Sequence, residues 1–410
     1  MSLKSTAFTI QRFLFPMLEE EIGPLSDMER CFVQVVELCH PERFMSPFQW
    51  NFAGRKPACV AVATSARRRP EDRLPMAKAF IAKAIWNFPN TRTLLDYIKK
   101  APSLRRLCGW QSVPEIPSEA TFSRAFADFA LFQLPEKIHE AMVKENLGDI
   151  LVGHISRDAT AISAREKPAA KPTPASEPVI SKKRGRPAKN QPVQPKEPRR
   201  LELQPLRSLA ENLVELSTLC DHGTKRPPGR GFVGTSNSHG FKFSWIGYKL
   251  HLDVIDGDIP ISAILTSASV HDSQAAIPLA QMSHQRVPSV FYDLMDAAYP
   301  LPRDLAPAGN SKEIYDFSRL LGHVPIIDPN PRRGEKIPLE PARAQRFKQR
   351  SSVERVNSQI KDNSRLAEAY GVARVGAMFV RVRGAAKVMC HLMFGIIACT
   401  AIQLFQRLAA

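Results

Sequence analysis

Many carboxylates could do chemistry in this chain, and three of the candidates lie at the ends of apolar runs or on a helical stretch. Asp158 follows a short apolar run at 149–155, in Arg157-Asp158-Ala159-Thr160; Asp296 closes the apolar stretch 287–296 and opens Asp296-Ala297-Ala298-Tyr299. Glu354 lies in a stretch with helical spacing, Phe347-x2-Arg350-x3-Glu354-x6-Lys361. Carboxylates that are far apart in sequence but gathered from strand ends and a helix suit a site for hard divalent cations, which take oxygen ligands. Two such ions about 4 Å apart activate a nucleophile and stabilise a leaving oxygen in phosphodiester chemistry. Asp293 competes with Asp296, but it lies an odd number of residues away, so in a regular strand it faces the opposite side.

The Glu354 segment carries more information than a lone acid. At about 100° per helical residue, Arg350 falls about 40° from Glu354, and Phe347 and Lys361 within about 20°, a stripe about 21 Å long. Val353, Val356 and Ile360 supply the apolar positions for packing. Geometry leaves two readings open: a carboxylate flanked by cations beside DNA phosphates, or a solvent-facing row of i,i+4 salt bridges.

Such residues need elements to position them. Residues 1 to about 145 read as mostly helical, with helical spacing at 76–86, 91–99 and 119–131 and Ser118 as an N-cap for the last. The segment 103–131 mixes Arg105, Arg106, Trp110, Phe122, Arg124 and Phe126. Short helices of this kind form either a helix-turn-helix-like DNA reader or a packing domain with a basic face. Further on, 149–155, 245–254, 259–266, 287–296 and 324–327 read as strands, with Asp256-Gly257 as a hairpin turn. A helix at 271–282 and long helices from 341 onward complete an α/β pattern: a mixed sheet covered by helices.

Composition restricts the partners. The chain has 57 Lys+Arg against 40 Asp+Glu, a formal net charge of +17, which points to a polyanion such as nucleic acid. Seven scattered cysteines without a CxxC pair speak against a disulfide framework or zinc ribbon and fit a reducing compartment. The opening MSLKSTAFTI does not read as a secretory signal. The run 388–405 is nearly long enough to span a bilayer, but His391, Thr400 and Gln403 interrupt it, so a buried helix of a soluble core is expected. Eight prolines between Pro168 and Pro198, among many basic and small residues, predict a disordered basic insertion over about 165–232. Its Arg184-Gly185-Arg186-Pro187 resembles the core of an AT-hook, whose arginines enter a narrow minor groove; a solubilising linker is the alternative.

Taken together, these segments resemble the DDE transposases of bacterial insertion sequences. The Phe347–Arg350–Glu354–Lys361 spacing matches, at every position, the Tyr-x2-Arg-x3-Glu-x6-Lys signature of one large group of them. Gly247-Tyr248-Lys249-Leu250-His251 and Ser269-Val270-His271-Asp272-Ser273 are similar to that group's strand and strand-to-helix segments. Arg157-Asp158-Ala159-Thr160 is similar to its first-aspartate motif, and Asp296-Ala297-Ala298-Tyr299 to its second, usually Asp-x-Gly-Tyr. The resemblance covers about 145–400, the basic insertion excepted; the N-terminal region is only loosely similar to the family's helical DNA-binding domains.

The resemblance implies an RNase H-like mixed sheet with flanking helices, preceded by a mainly α-helical N-terminal domain: a DNA-binding domain at 1–145 and a catalytic domain at 146–410. Asp158, Asp296 and Glu354 would be the catalytic, metal-holding residues, with two Mg²⁺ ions for which Mn²⁺ substitutes. Arg350, Lys361 and Phe347 would contact DNA near the scissile phosphate, with Arg184 and Arg186 adding contacts from the insertion. The implied partners are terminal inverted repeats, target DNA and a second copy of the chain, in the bacterial cytoplasm at the nucleoid and away from any membrane. A catalytically silent, transposase-derived DNA-binding protein and a purely hydrolytic nuclease are the competing readings. Two positions depart from the signature. Phe347 lacks the tyrosine's phenol, although an aromatic ring still stacks on a base. Ala298 replaces a glycine, a mild change unless that residue needs positive φ.

Overall fold

The computed structural model describes residues 3–48, 72–170, 198–225, 243–296, 299, 312–328, 338–362 and 380–409. The first part is helical: α1 (Leu3–Thr9), α2 (Phe15–Ile22), α3 (Asp27–Cys39), α4 (Arg73–Ile85), α5 (Thr91–Lys100), α6 (Pro102–Cys108), α7 (Glu119–Leu131) and α8 (Leu134–Leu147). Local chemistry sets several of these boundaries. Ser26 and Glu29 form a reciprocal capping box at the start of α3. Asn90 caps α5, and Ser118 accepts from the Thr121 amide at the start of α7, the cap expected from sequence.

Six strands follow: β1 (Val152–Ser163), β2 (Asp221–Lys225), β3 (Phe243–Ile255), β4 (Ile259–Ser267), β5 (Val290–Met295) and β6 (Val324–Ile327). Between them lie α9 (Arg200–Leu203), α10 (Leu209–Glu215), α11 (Ser273–Arg286) and α12 (Glu313–Leu320). After β6 come α13 (Pro341–Phe347), a 3-10 turn (Lys348–Arg350), α14 (Ser351–Asp362) and α15 (Ala385–Ala409). The sheet is mixed, in the order β4-β3-β1-β5-β6, with β2 pairing the outer half of β3. The pairs β4/β3 and β3/β1 are antiparallel; β1/β5 and β5/β6 are parallel. The hairpin from β3 to β4 turns at 256–258, where Gly257 (φ 85°) and Asp258 (φ 59°) take left-handed backbone that glycine and aspartate tolerate.

Both faces of the sheet are covered. Tyr248, Leu250, Leu252 and Val254 alternate onto one face and pack with Val353 and Val356 of α14 and Val388, Leu392 and Ile396 of α15. Lys249, His251 and Asp253 take the opposite parity, toward α11. A second, larger core joins α3–α8 to α15 and to Val152, Ile155, Ile255, Ile259 and Ile261 of the sheet, so the N-terminal helices and the sheet share one apolar interior. Among the described residues, α15 is the one helix long and apolar enough to cross a bilayer, and 72% of its most apolar stretch is buried inside the protein.

Three expectations need correction. Strand β1 runs to Ser163, so Asp158 sits mid-strand and not at a strand end. Antiparallel pairing with β3 carries β1 past the apolar run, from Ile155↔Ile255 to Ser163↔Gly247. Residues 198–225, inside the stretch expected to be disordered, form α9, α10 and β2, secured by Leu201 in the core beside α11 and by the pairing of β2 with β3. The helix expected to carry Phe347, Arg350, Glu354 and Lys361 as one continuous stripe is interrupted by the 3-10 turn Lys348–Arg350. Arg184, Arg186 and Ala298 lie outside the described residues.

Candidate active site

The parallel register of β1 and β5 ends at Arg157↔Met295. The next residue on each chain is Asp158 and Asp296, so the two aspartates continue that pairing side by side where β5 stops. Asp158 lies opposite Leu252 of β3 and therefore shares the sheet face covered by α14. Glu354 arrives on that helix, whose Val353 and Val356 are fully buried beneath it.

The guanidinium of Arg350 stands among all three carboxylates. Its Nη2 is 3.6 Å from Asp158 Oδ1 and 3.5 Å from Asp296 Oδ2, and its Nη1 donates to Glu354 Oε1 at 2.7 Å. The i,i+4 salt bridge is therefore present, but it is part of a four-residue charge cluster and not a surface row. The side chains of Arg350 and Asp158 are 15% and 20% exposed, whereas Glu354 is 57% exposed, so the cluster opens to solvent on the Glu354 side. Burial opposes the charge on Arg350, but Asp158, Asp296 and Glu354 outweigh it and hold its pKa above the ordinary value.

The site is anchored on several sides. Ser156 Oγ donates to Gln349 O at 3.2 Å, tying the 3-10 turn to β1. Asp258, at the hairpin turn, accepts from Ser352 Oγ at 2.7 Å and from Arg355 Nε and Nη2 at 2.8 and 2.6 Å, which clamps the first turn of α14 to the β3–β4 hairpin. Arg346 of α13 lies over the Tyr292 ring at 4.4 Å, and that ring stacks on His154. Asn357 Nδ2 donates to Asp158 Oδ2 at 3.0 Å.

Beneath the aspartates, on the other face, Arg157 Nε and Nη2 each donate to Asp253 at 2.8 Å, and Nη2 is 3.6 Å from Asp293. Ser283 of α11 donates to Asp253, and Ser318 of α12 to Asp293. Burial alone would raise the Asp293 pKa, but Arg157, His323 and Ser318 bring it down to about 2, so it remains ionised. Asp293 thus belongs to a buried network facing away from Asp296, as its odd spacing implies. Nearby, Lys249 Nζ donates to Asp272 Oδ1 at 2.8 Å, joining two segments singled out in the sequence. Tyr299 is buried, and burial together with the charges of Asp272, Asp158 and Asp296 holds its phenol well above the usual range.

The structure thus brings together Asp158, Asp296, Glu354 and Arg350. Phe347 ends α13, half-buried; Lys361 is on α14, with its side chain outside the described residues. Trp110, Phe122 and Phe126 of the candidate DNA reader are buried in the core, whereas Arg106 and Arg124 are exposed. Two contributors were missed in the sequence, Asn357 and Asp258. Asn357 was within reach: three residues after Glu354, it shares that helical face. Asp258 is recognisable only once the hairpin is docked against α14.

The donor set has the chemistry for a magnesium-like cation: oxygen ligands only, from three separate elements, around a point that already holds positive charge. As the side chains stand, no group of three His, Cys, Asp or Glu among the described residues is placed to hold one ion. A cation would compete with the Arg350 guanidinium for the same oxygens. Comparison with protein-family models, with curated proteins and with solved structures finds no match to this chain.

Proposed function

We propose that this chain is a DDE transposase that cuts and joins DNA strands with an RNase H-like catalytic sheet. One observation carries the reading: Asp158 and Asp296 stand side by side at the end of the β1–β5 pairing and meet Glu354 of α14 around a single guanidinium. The sheet supports it. A central β1, paired antiparallel with β3 (and β3 antiparallel with β4) on one side and parallel with β5 and then β6 on the other, is a mixed sheet compatible with an RNase H-like domain. The formal charge of +17 suits a DNA partner.

When bound, divalent Mg²⁺ or Mn²⁺ activates the attacking oxygen and stabilises the leaving one. Asp158, Asp296 and Glu354 would hold the cations, with α14, β1 and the end of β5 fixing the spacing of the three carboxylates. Arg350, released from these oxygens when they hold a cation, would be placed to contact a scissile phosphate at the solvent-open side of the cluster. Lys361 and Phe347 serve the same strand, one by charge and one by stacking. The basic surfaces bind element ends, and a dimer pairs two of them.

The test is excision and integration of a marked mini-element built from DNA flanking the reading frame, with wild type and Glu354→Gln at equal protein levels. Movement with wild type and none with the variant is expected, with end-DNA affinity retained because it rests on phosphate contacts. Nicked but never joined products would replace the transposase with a hydrolytic nuclease. Binding without any metal-dependent cutting would leave a DNA-binding derivative.

A further inference from the structure

Asn357 does something a buried helical residue does not need to do for packing. It is 7% exposed on α14, the helix whose Val353 and Val356 pack on the sheet. Its Nδ2 donates to Asp158 Oδ2 at 3.0 Å. Its Oδ1 is buried and has no hydrogen-bond partner. Flipping the amide would set oxygen against the Asp158 carboxylate, so the hydrogen bond itself fixes the orientation. A leucine has the same branching of heavy atoms and would leave no buried amide oxygen unsatisfied, a cost that apolar replacement removes. The amide therefore trades one unsatisfied oxygen for one contact, and that contact is with a site carboxylate.

We infer that Asn357 is a positioning residue of the carboxylate site: by engaging Asp158 Oδ2 it turns Oδ1 toward Asp296 and Glu354 and holds it there for a divalent cation. The inference rests on the reading of Asp158, Asp296 and Glu354 as the cation site. The geometry fits, because Asp158 Oδ1 is the oxygen that faces the Arg350 guanidinium. Fixing one carboxylate oxygen from behind sets the direction of the other, and losing such an outer hydrogen bond costs roughly ten- to a hundredfold in metal affinity. Gln359 offers a control: it is equally buried on the same helix, but meets Cys399 of α15 instead of the aspartates.

The experiment titrates full-length protein with Mn²⁺, following the free ion by electron paramagnetic resonance, with thermal unfolding of each variant alongside. Wild type is expected to bind Mn²⁺ and Asp158→Asn to lose most of that binding. Asn357→Leu and Asn357→Ala should each weaken it about tenfold, whereas Gln359→Leu should bind as wild type does even where its melting temperature falls. Wild-type affinity in both Asn357 variants, or equal weakening by Gln359→Leu, would overturn the positioning role while leaving the carboxylate site intact. Absence of Mn²⁺ binding in wild type, or binding indifferent to Asp158→Asn, would overturn the site and this inference together.

Discussion

At the residue scale, one guanidinium explains how three carboxylates stand close together without repelling one another. Each aspartate approaches Nη2 and the glutamate takes Nη1, so the positive charge sits where their mutual repulsion would otherwise be greatest. A residue in that place competes with a cation and, when displaced, is well situated for a phosphate, since guanidinium geometry suits both carboxylate and phosphate oxygens. Arg350→Ala should therefore bind Mn²⁺ more tightly than wild type in the absence of DNA, by about tenfold for the loss of one competing charged contact, and yet cut DNA more slowly. Calorimetric titration with Mn²⁺ and single-turnover cleavage would check the two halves separately. Unchanged or weaker Mn²⁺ binding would show that the guanidinium organises the carboxylates and does not compete for them.

At the element scale, the position of α14 decides whether Glu354 reaches the strands at all. Its apolar residues, Val353 and Val356, give it a face to bury, but hydrophobic contact is non-directional and does not set its position along the sheet. That is set by Asp258, a turn residue in left-handed backbone that accepts from Ser352 Oγ and from Nε and Nη2 of Arg355. Asp258→Ala removes the clamp, leaves the buried Ser352 hydroxyl with only a long contact to Ile255 O, and leaves the half-exposed Arg355 with its bond to Ser351 Oγ. The expected cost is about 1–3 kcal/mol, read by chemical denaturation. Strand cleavage should fall further than the fraction folded accounts for. A stability loss with normal cleavage per folded molecule would mean that the apolar face alone seats the helix.

At the scale of the whole molecule, the helical part and the sheet are bound together by α15, which lies between them. Phe394 of α15 meets Phe80 of α4 and Phe129 of α7, while its neighbours Leu392 and Ile396 pack on the sheet side. His139 of α8 joins the same junction: its Nε2 meets Pro260 O of β4 and Thr400 Oγ1 of α15, and its Nδ1 meets Arg286 of α11. Burial, and then the adjacent Arg286, push its pKa down to about 3; His251, under the sheet, is lowered by burial to about 4. Both imidazoles are neutral when folded and protonate near pH 6.5 when unfolded. Protons are therefore taken up on unfolding. Stability should be full above about pH 6.5 and fall as the pH drops toward about 4, by up to about 1.4 kcal/mol per pH unit for each histidine. Urea denaturation at a series of pH values from 7.5 to 4.5 would test this, with His139→Gln expected to flatten the slope. A slope unaffected by that substitution would place the proton uptake elsewhere.

Much of this was determined by the chain alone. Hydrophobic periodicity and turn chemistry mark α4, α5, α7, the β3–β4 hairpin, α11, β5 and β6, because these are local effects read within a few residues. Parity separates Asp296 from Asp293 for the same reason. Tertiary structure decided what depends on pairing between distant segments: that β1 continues through Asp158 to Ser163, that residues 198–225 are ordered by docking on α11 and β3, and that the Phe347–Glu354 stretch breaks at a 3-10 turn tied to Ser156. It also turned Trp110, Phe122 and Phe126 inward and left Arg106 and Arg124 outside. Above all, it assigned partners to charges. An arginine four residues before a glutamate is an ordinary helical pair in sequence; only the middle of β1, brought beside the end of β5, makes it the centre of three carboxylates. Electrostatic neighbours are set by distance in space, and chain separations as large as that between Asp158 and Asn357 leave no local trace of which ones will meet.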